Sequence, residues 1–142
     1  VSTWPDVEGA LRTYLRSVSG VTALVGQRVF FGIPKGAVEA TFPLVVVSRV
    51  GGGQAPGDAP LDVAQVQVDC WGSIDASGNG VKSSATALVN AVRTALEAVG
   101  TGSASLTGIE AGVNVESVLW LPDPDNDRPR YVVTAEVAAI SS

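Results

Sequence analysis

The chain has 142 residues, 9 of them basic and 14 acidic, and a net charge of −5. Without a histidine and with one cysteine, it excludes a His-dependent triad, a His- or Cys-built zinc site and an internal disulfide. Charged residues are only 16% and the mean hydropathy is +0.30, which argues against disorder, and some surface is expected to be covered by partners.

One domain spanning 1–142 is expected at this length. Thr3 is the expected cap of a first helix, with Pro5, Asp6 and Glu8 in its opening turn. Val7, Leu11, Tyr14, Leu15 and Val18 form its apolar stripe, and Ser19-Gly20 ends it. A short turn over Val21 to Val25 and a brief strand over Arg28 to Phe31 follow. Pro43 to Val50 is apolar at successive positions, as in a strand inside a sheet. Gly51 to Pro60 is rich in Gly and Pro and reads as a mobile connection.

From Val63 to Trp71 the pattern alternates. Ala64, Val66, Val68 and Cys70 share one face, and Gln65, Gln67, Asp69 and Trp71 share the other. Gly72 to Gly80 is a polar turn. Val81 to Val99 is the second main helix, with Ala85, Leu88, Val89, Val92, Leu96 and Val99 as its stripe. Strands over Val113 to Leu121 and Tyr131 to Ile140 close the chain, joined by the Asp- and Pro-rich turn Pro122 to Arg130. The fold expected is α+β: one mainly antiparallel sheet with two principal helices on one face. Val46, Val68, Leu88, Val92 and Val133 are placed between sheet and helices.

No motif carries catalysis. Asp123-Pro124-Asp125-Asn126-Asp127 resembles the start of a calcium loop. The sixth and twelfth positions, however, hold Arg128 and Thr134 instead of Gly and Glu. A solvated hairpin turn is expected, and no metal. Gly51-Gly52-Gly53 lacks the Lys and helix start of a phosphate loop, so no cofactor is expected. Cys70 is a small core residue. Trp71 is either partly exposed or part of a subunit interface, where aromatics are enriched. Trp4 and Trp120 are expected to pack inside.

The acidic balance and the absence of a basic cluster argue against tight nucleic-acid binding. The sequence has no apolar run of membrane-spanning length and no basic-then-apolar leader, so neither membrane insertion nor export by that route is expected.

The layout resembles the tail terminator, or tail completion, proteins of long-tailed bacteriophages. The resemblance is carried by Val21-Thr22-Ala23-Leu24-Val25-Gly26 with Arg28-Val29-Phe30, and by Phe42-Pro43-Leu44-Val45-Val46-Val47. It continues in Val66-Gln67-Val68-Asp69-Cys70-Trp71 with the helix around Ala91-Val92-Arg93-Thr94-Ala95-Leu96, and in Asp123-Pro124-Asp125 with Arg130-Tyr131-Val132-Val133. The resemblance implies a non-enzymatic virion protein at the head-proximal end of the tail, assembled in the host cytoplasm. A homo-hexameric ring would cap the tail tube protein, stop its polymerisation and meet the head-tail connector or stopper protein. DNA would pass through the lumen without specific binding. Gly52, Gly53, Gln54, Asp58, Trp71, Asp123, Asp125 and Asp127 are the residues assigned to a subunit or tube interface. A head-completion or stopper protein of the neck, a tail-tube subunit and a small ligand-binding domain remain as alternatives.

Overall fold

The computed structural model describes residues 5–33, 42–54, 61–106, 109–124 and 127–140. Helix α1 (Val7–Leu15) is capped by Asp6, and Thr3, the expected cap, lies outside the described residues. The Asp6 carboxylate accepts the Gly9 N–H at 3.0 Å and adds a negative charge at the positive end of the helix. Val18 does not extend the stripe. It is the extended residue before α2 (Ser19–Val25), and Ser19-Gly20 opens this second helix instead of ending the first.

The main sheet has the order β1-β2-β3-β7-β6. Its strands are β1 (Val29–Phe30), β2 (Leu44–Gln54), β3 (Leu61–Trp71), β6 (Ala111–Trp120) and β7 (Arg130–Ile140). β1 runs parallel to β2, and every other pairing is antiparallel. A small ladder of β4 (Ser73–Ile74) and β5 (Gly80–Val81) closes the polar turn before α3 (Lys82–Gly100). The fold is α+β, as the patterning indicates. No helix among the described residues is long and apolar enough to cross a membrane.

The core lies between the helices and one face of the sheet. Ala64, Val66, Val68 and Cys70 of β3 meet Leu88, Val92 and Leu96 of α3, with Val133, Ala135 and Val137 of β7 beside them. Each fully buried Val or Leu contributes roughly 1.5–3 kcal/mol. The Tyr14 hydroxyl donates to the Ala95 carbonyl at 2.6 Å, which joins α1 to α3, and burial raises its pKa above the ordinary phenol value.

Two expectations are corrected here. Val46 does not face the helices. Val45 and Val47 do, while Val46 joins Leu44, Trp71, Phe30 and Phe42 in a small cluster on the opposite face. The connection expected from Gly51 to Pro60 also begins as strand, and its residues 55–60 lie outside the described residues. Gly51 to Gln54 pair with Gln65 to Asp62, and Val50 is the extra residue of a bulge between Arg49 and Gly51.

Candidate functional site: the ends and edges of the sheet

The residues assigned to an interface fall at two opposite ends of the sheet. Gly52 and Gly53 lie at one end, opposite Ala64 and Val63, and the backbone of Gln54 pairs with Asp62. Trp71, Asp123 and Asp127 lie near the other. The ten residue steps of β3 between these ends span roughly 33 Å. The structure therefore does not bring the assigned residues into one patch. Asp58 and Asp125 lie outside the described residues, as does Trp4.

At the glycine end, Gly52 has φ +93°. A β-carbon there would run into the carbonyl oxygen of Val63, so the close approach of β2 to β3 requires glycine. Beside it the Arg49 guanidinium forms two 2.6 Å hydrogen bonds with Asp62 across the bulge. The hydrogen bonds from Arg49 hold the Asp62 carboxyl below its ordinary pKa, against the opposing effect of burial. Neither Arg49 nor Asp62 stands out in the sequence, because only the bulge brings them together.

At the turn end, Trp71 is buried, with 7% of its surface exposed. Phe42 meets its ring edge-on at 6.1 Å, and the Arg130 guanidinium lies 4.6 Å from its centroid. Arg128 lies 3.6 Å over Phe42. Arg130 also approaches Asp69 at 3.6 Å, and Asp69 accepts from Gln67 at 2.8 Å. Among the described residues the Trp71 indole N–H has no acceptor. The turn is held by backbone bonds from Asp127 N–H to the Asp123 carbonyl and from Asp123 N–H to the Arg128 carbonyl, each 3.0 Å. Arg128 and Arg130, which organise this end, were missed in the sequence. Their only signal is that they flank Pro129 at the entrance to β7.

Burial pushes the Cys70 thiol far above its ordinary pKa, and neighbouring Asp69 adds to the effect. A buried, protonated thiol is a poor nucleophile. Among the described residues no three His, Cys, Asp or Glu side chains are grouped to hold a metal.

The edges of the sheet are less covered than its centre. β6 exposes Leu119 and Trp120, and Leu121 follows them, also exposed. Trp120 packs on Tyr131 at 4.9 Å and carries the Lys82 ammonium at 4.6 Å, yet 38% of it remains open. It is thus only partly packed, unlike the expectation. The other edge exposes Phe31 and Ile33 just after β1.

Comparison with known proteins adds a family to this architecture. The model of the tail completion protein gp17 family matches residues 9–139. A chain in the solved structure of the virion of a native gene transfer agent (GTA) particle is similar over 96% of this chain and 95% of that one. The TM-score is 0.72 and the sequence identity 20%, a likeness of fold. No curated protein matches the chain.

Proposed function

Because the chain belongs to the tail completion protein gp17 family, we propose that it closes the head-proximal end of a phage-type tail as a homo-hexameric ring. In this role it is a structural component without enzymatic activity. It ends polymerisation of the tail tube and presents a surface to the head connector or stopper protein. The observation that carries this reading is the family match over nearly the whole length of the chain.

The molecule's properties fit the role. Its sheet exposes apolar residues on both edges, as a ring subunit with two flanks requires. Its two sheet ends offer separate surfaces, one for the tube and one for the connector. Its net charge of −5 disfavours retention of DNA passing through the lumen.

Imaging of assembled particles tests the proposal. Six copies should lie between the last tube ring and the neck, and particles lacking the chain should yield tubes of uncontrolled length that do not join heads. A ring on the portal side, with tubes of normal length in its absence, would reassign the chain to the neck stopper.

A further inference from the structure

We propose that the ring seam is heterologous: the β6 edge of one subunit, at Leu119, Trp120 and Leu121, docks on the Phe31–Ile33 edge of the next copy. This inference rests on the ring reading above and names the surfaces that would form it.

The first argument is placement. β6 and β1 are the two outer strands of one five-stranded sheet. Four strand spacings separate them, about 19 Å. Both edges expose large apolar side chains: Leu119 is 55% exposed and Phe31 46%. Trp120 pairs with Tyr131 and Leu119 with Val132, so the β6 patch wraps both faces of its edge. Two different apolar patches on opposite flanks make a head-to-tail contact, which generates rings when the rotation closes. A two-fold pairing of like edges would leave the other edge bare on every subunit.

The second argument is how the edges are finished. At β1, the Val29 carbonyl accepts from Arg12 Nε at 3.1 Å and from an Arg16 terminal nitrogen at 2.8 Å. Those side chains blunt that edge against ladder pairing. Among the described residues, the ladder-forming side of β6 that faces away from β7 has no strand partner in the main sheet. The contact is therefore side-chain packing onto the Phe31 edge, not continuation of one sheet into the next.

Charge supplies the third. Burial, and then the charge of Arg12, lowers the pKa of Arg16. Its Nε is buried without an acceptor, and neither arginine has an ion pair among the described residues. Glu116, exposed at the bulge of β6, likewise has none. The β6 edge thus brings a carboxylate to an edge where Arg12, 4.8 Å over the Phe31 ring, and Arg16 have no ion-pair partner among the described residues. In the reverse sense, Lys82 over Trp120 faces an edge where Asp6, Glu8 and Phe31 line an open pocket. Such pairing fixes orientation and disfavours like-edge contacts.

Cysteine cross-linking in assembled particles tests this seam. Cys70 is fully buried, so it contributes little background. The double variant Phe31→Cys/Leu119→Cys, treated with a short bis-maleimide, should give a denaturing-gel ladder up to the hexamer. Each single variant should stay monomeric on the gel. Ile33→Cys replaces Phe31→Cys if that variant loses its cooperative melt. Dimers from a single variant would overturn the proposal in favour of like-edge pairing. A six-copy ring visible in particles but giving no ladder would place the seam elsewhere and leave the ring reading intact. Cross-links from Leu119 to the tube protein would assign the β6 edge to the tube. Particles with no ring of this chain would overturn the ring reading itself.

Discussion

Gly52 shows how one residue fixes the register of the glycine end. Its φ of +93° is a conformation that side chains with a β-carbon rarely adopt, and the Val63 carbonyl fills the space a β-carbon would need. Gly52→Ala therefore combines backbone strain, about 1–3 kcal/mol, with a clash against a paired strand. Urea denaturation should show that loss, while Gly53→Ala, where nothing lies within 4 Å of the added carbon, should lose much less. The Arg49–Asp62 pair sits next to this glycine and gives the protein a pH signature. Asp62 has a lowered pKa in the folded state, so its stabilisation is present above the ordinary carboxyl value of 3.8 and is lost as pH falls through the folded value. Asp62→Asn should cost about 1–3 kcal/mol at neutral pH, given the partial exposure of Arg49. The urea midpoints of variant and parent should converge on acidification below 3.8; a gap of constant size would show that the pair does not titrate as described.

At the scale of elements, periodicity was legible where it was unambiguous. The alternation of β3 places Ala64, Val66, Val68 and Cys70 on the helix face, and the stripe of α3 is buried from Ala85 to Val99. Val68 has no exposed surface, so Val68→Asp should abolish cooperative folding, because the buried carboxylate finds no partner among the aliphatic neighbours described. A soluble variant with a sharp melt would contradict the face assignment. The run Leu44 to Val47 was not legible in the same way. Four consecutive apolar residues fit either phase of a strand, and only pairing with β3 shows that Val46 turns away from the helices. The start of α1 was not legible for a related reason: Asp6 lies in a stretch with several residue types that cap helices, and the choice depends on where the backbone first turns. Composition misled at Gly51 to Gln54. Glycines suggest a loop, yet a bulged strand tolerates them where its partner approaches closely. The turn after β6 joins two antiparallel strands, but it is not solvated throughout: Arg128, at the position where a calcium loop needs glycine, is buried. Added calcium should leave the melting temperature unchanged, and a rise would reveal binding to the folded state.

For the whole molecule, the sheet separates residues that the sequence could not place apart. The turn end is built around buried Trp71, Phe42 and two arginines, while the glycine end is the tip of a long β2–β3 hairpin. With Gln54 paired to Asp62, the connection shrinks to 55–60, six residues, close to the ~2–5 of ordinary hairpins. Replacing Gly52 to Pro60 by a short turn would remove ladder pairs and the required Gly52, so it would test folding rather than function. Confining the change to 55–60, with an Asn-Gly turn in their place, leaves every described strand pair available. The melting temperature of that variant should stay within a few degrees of the parent. If the hairpin tip meets the last tube ring, particles carrying the variant should show tubes of uncontrolled length or tails detached from heads. Infectious particles with normal tails and an unchanged melt would remove the hairpin tip from the contact, and would leave the turn end around Trp71 as the surface that meets the tube.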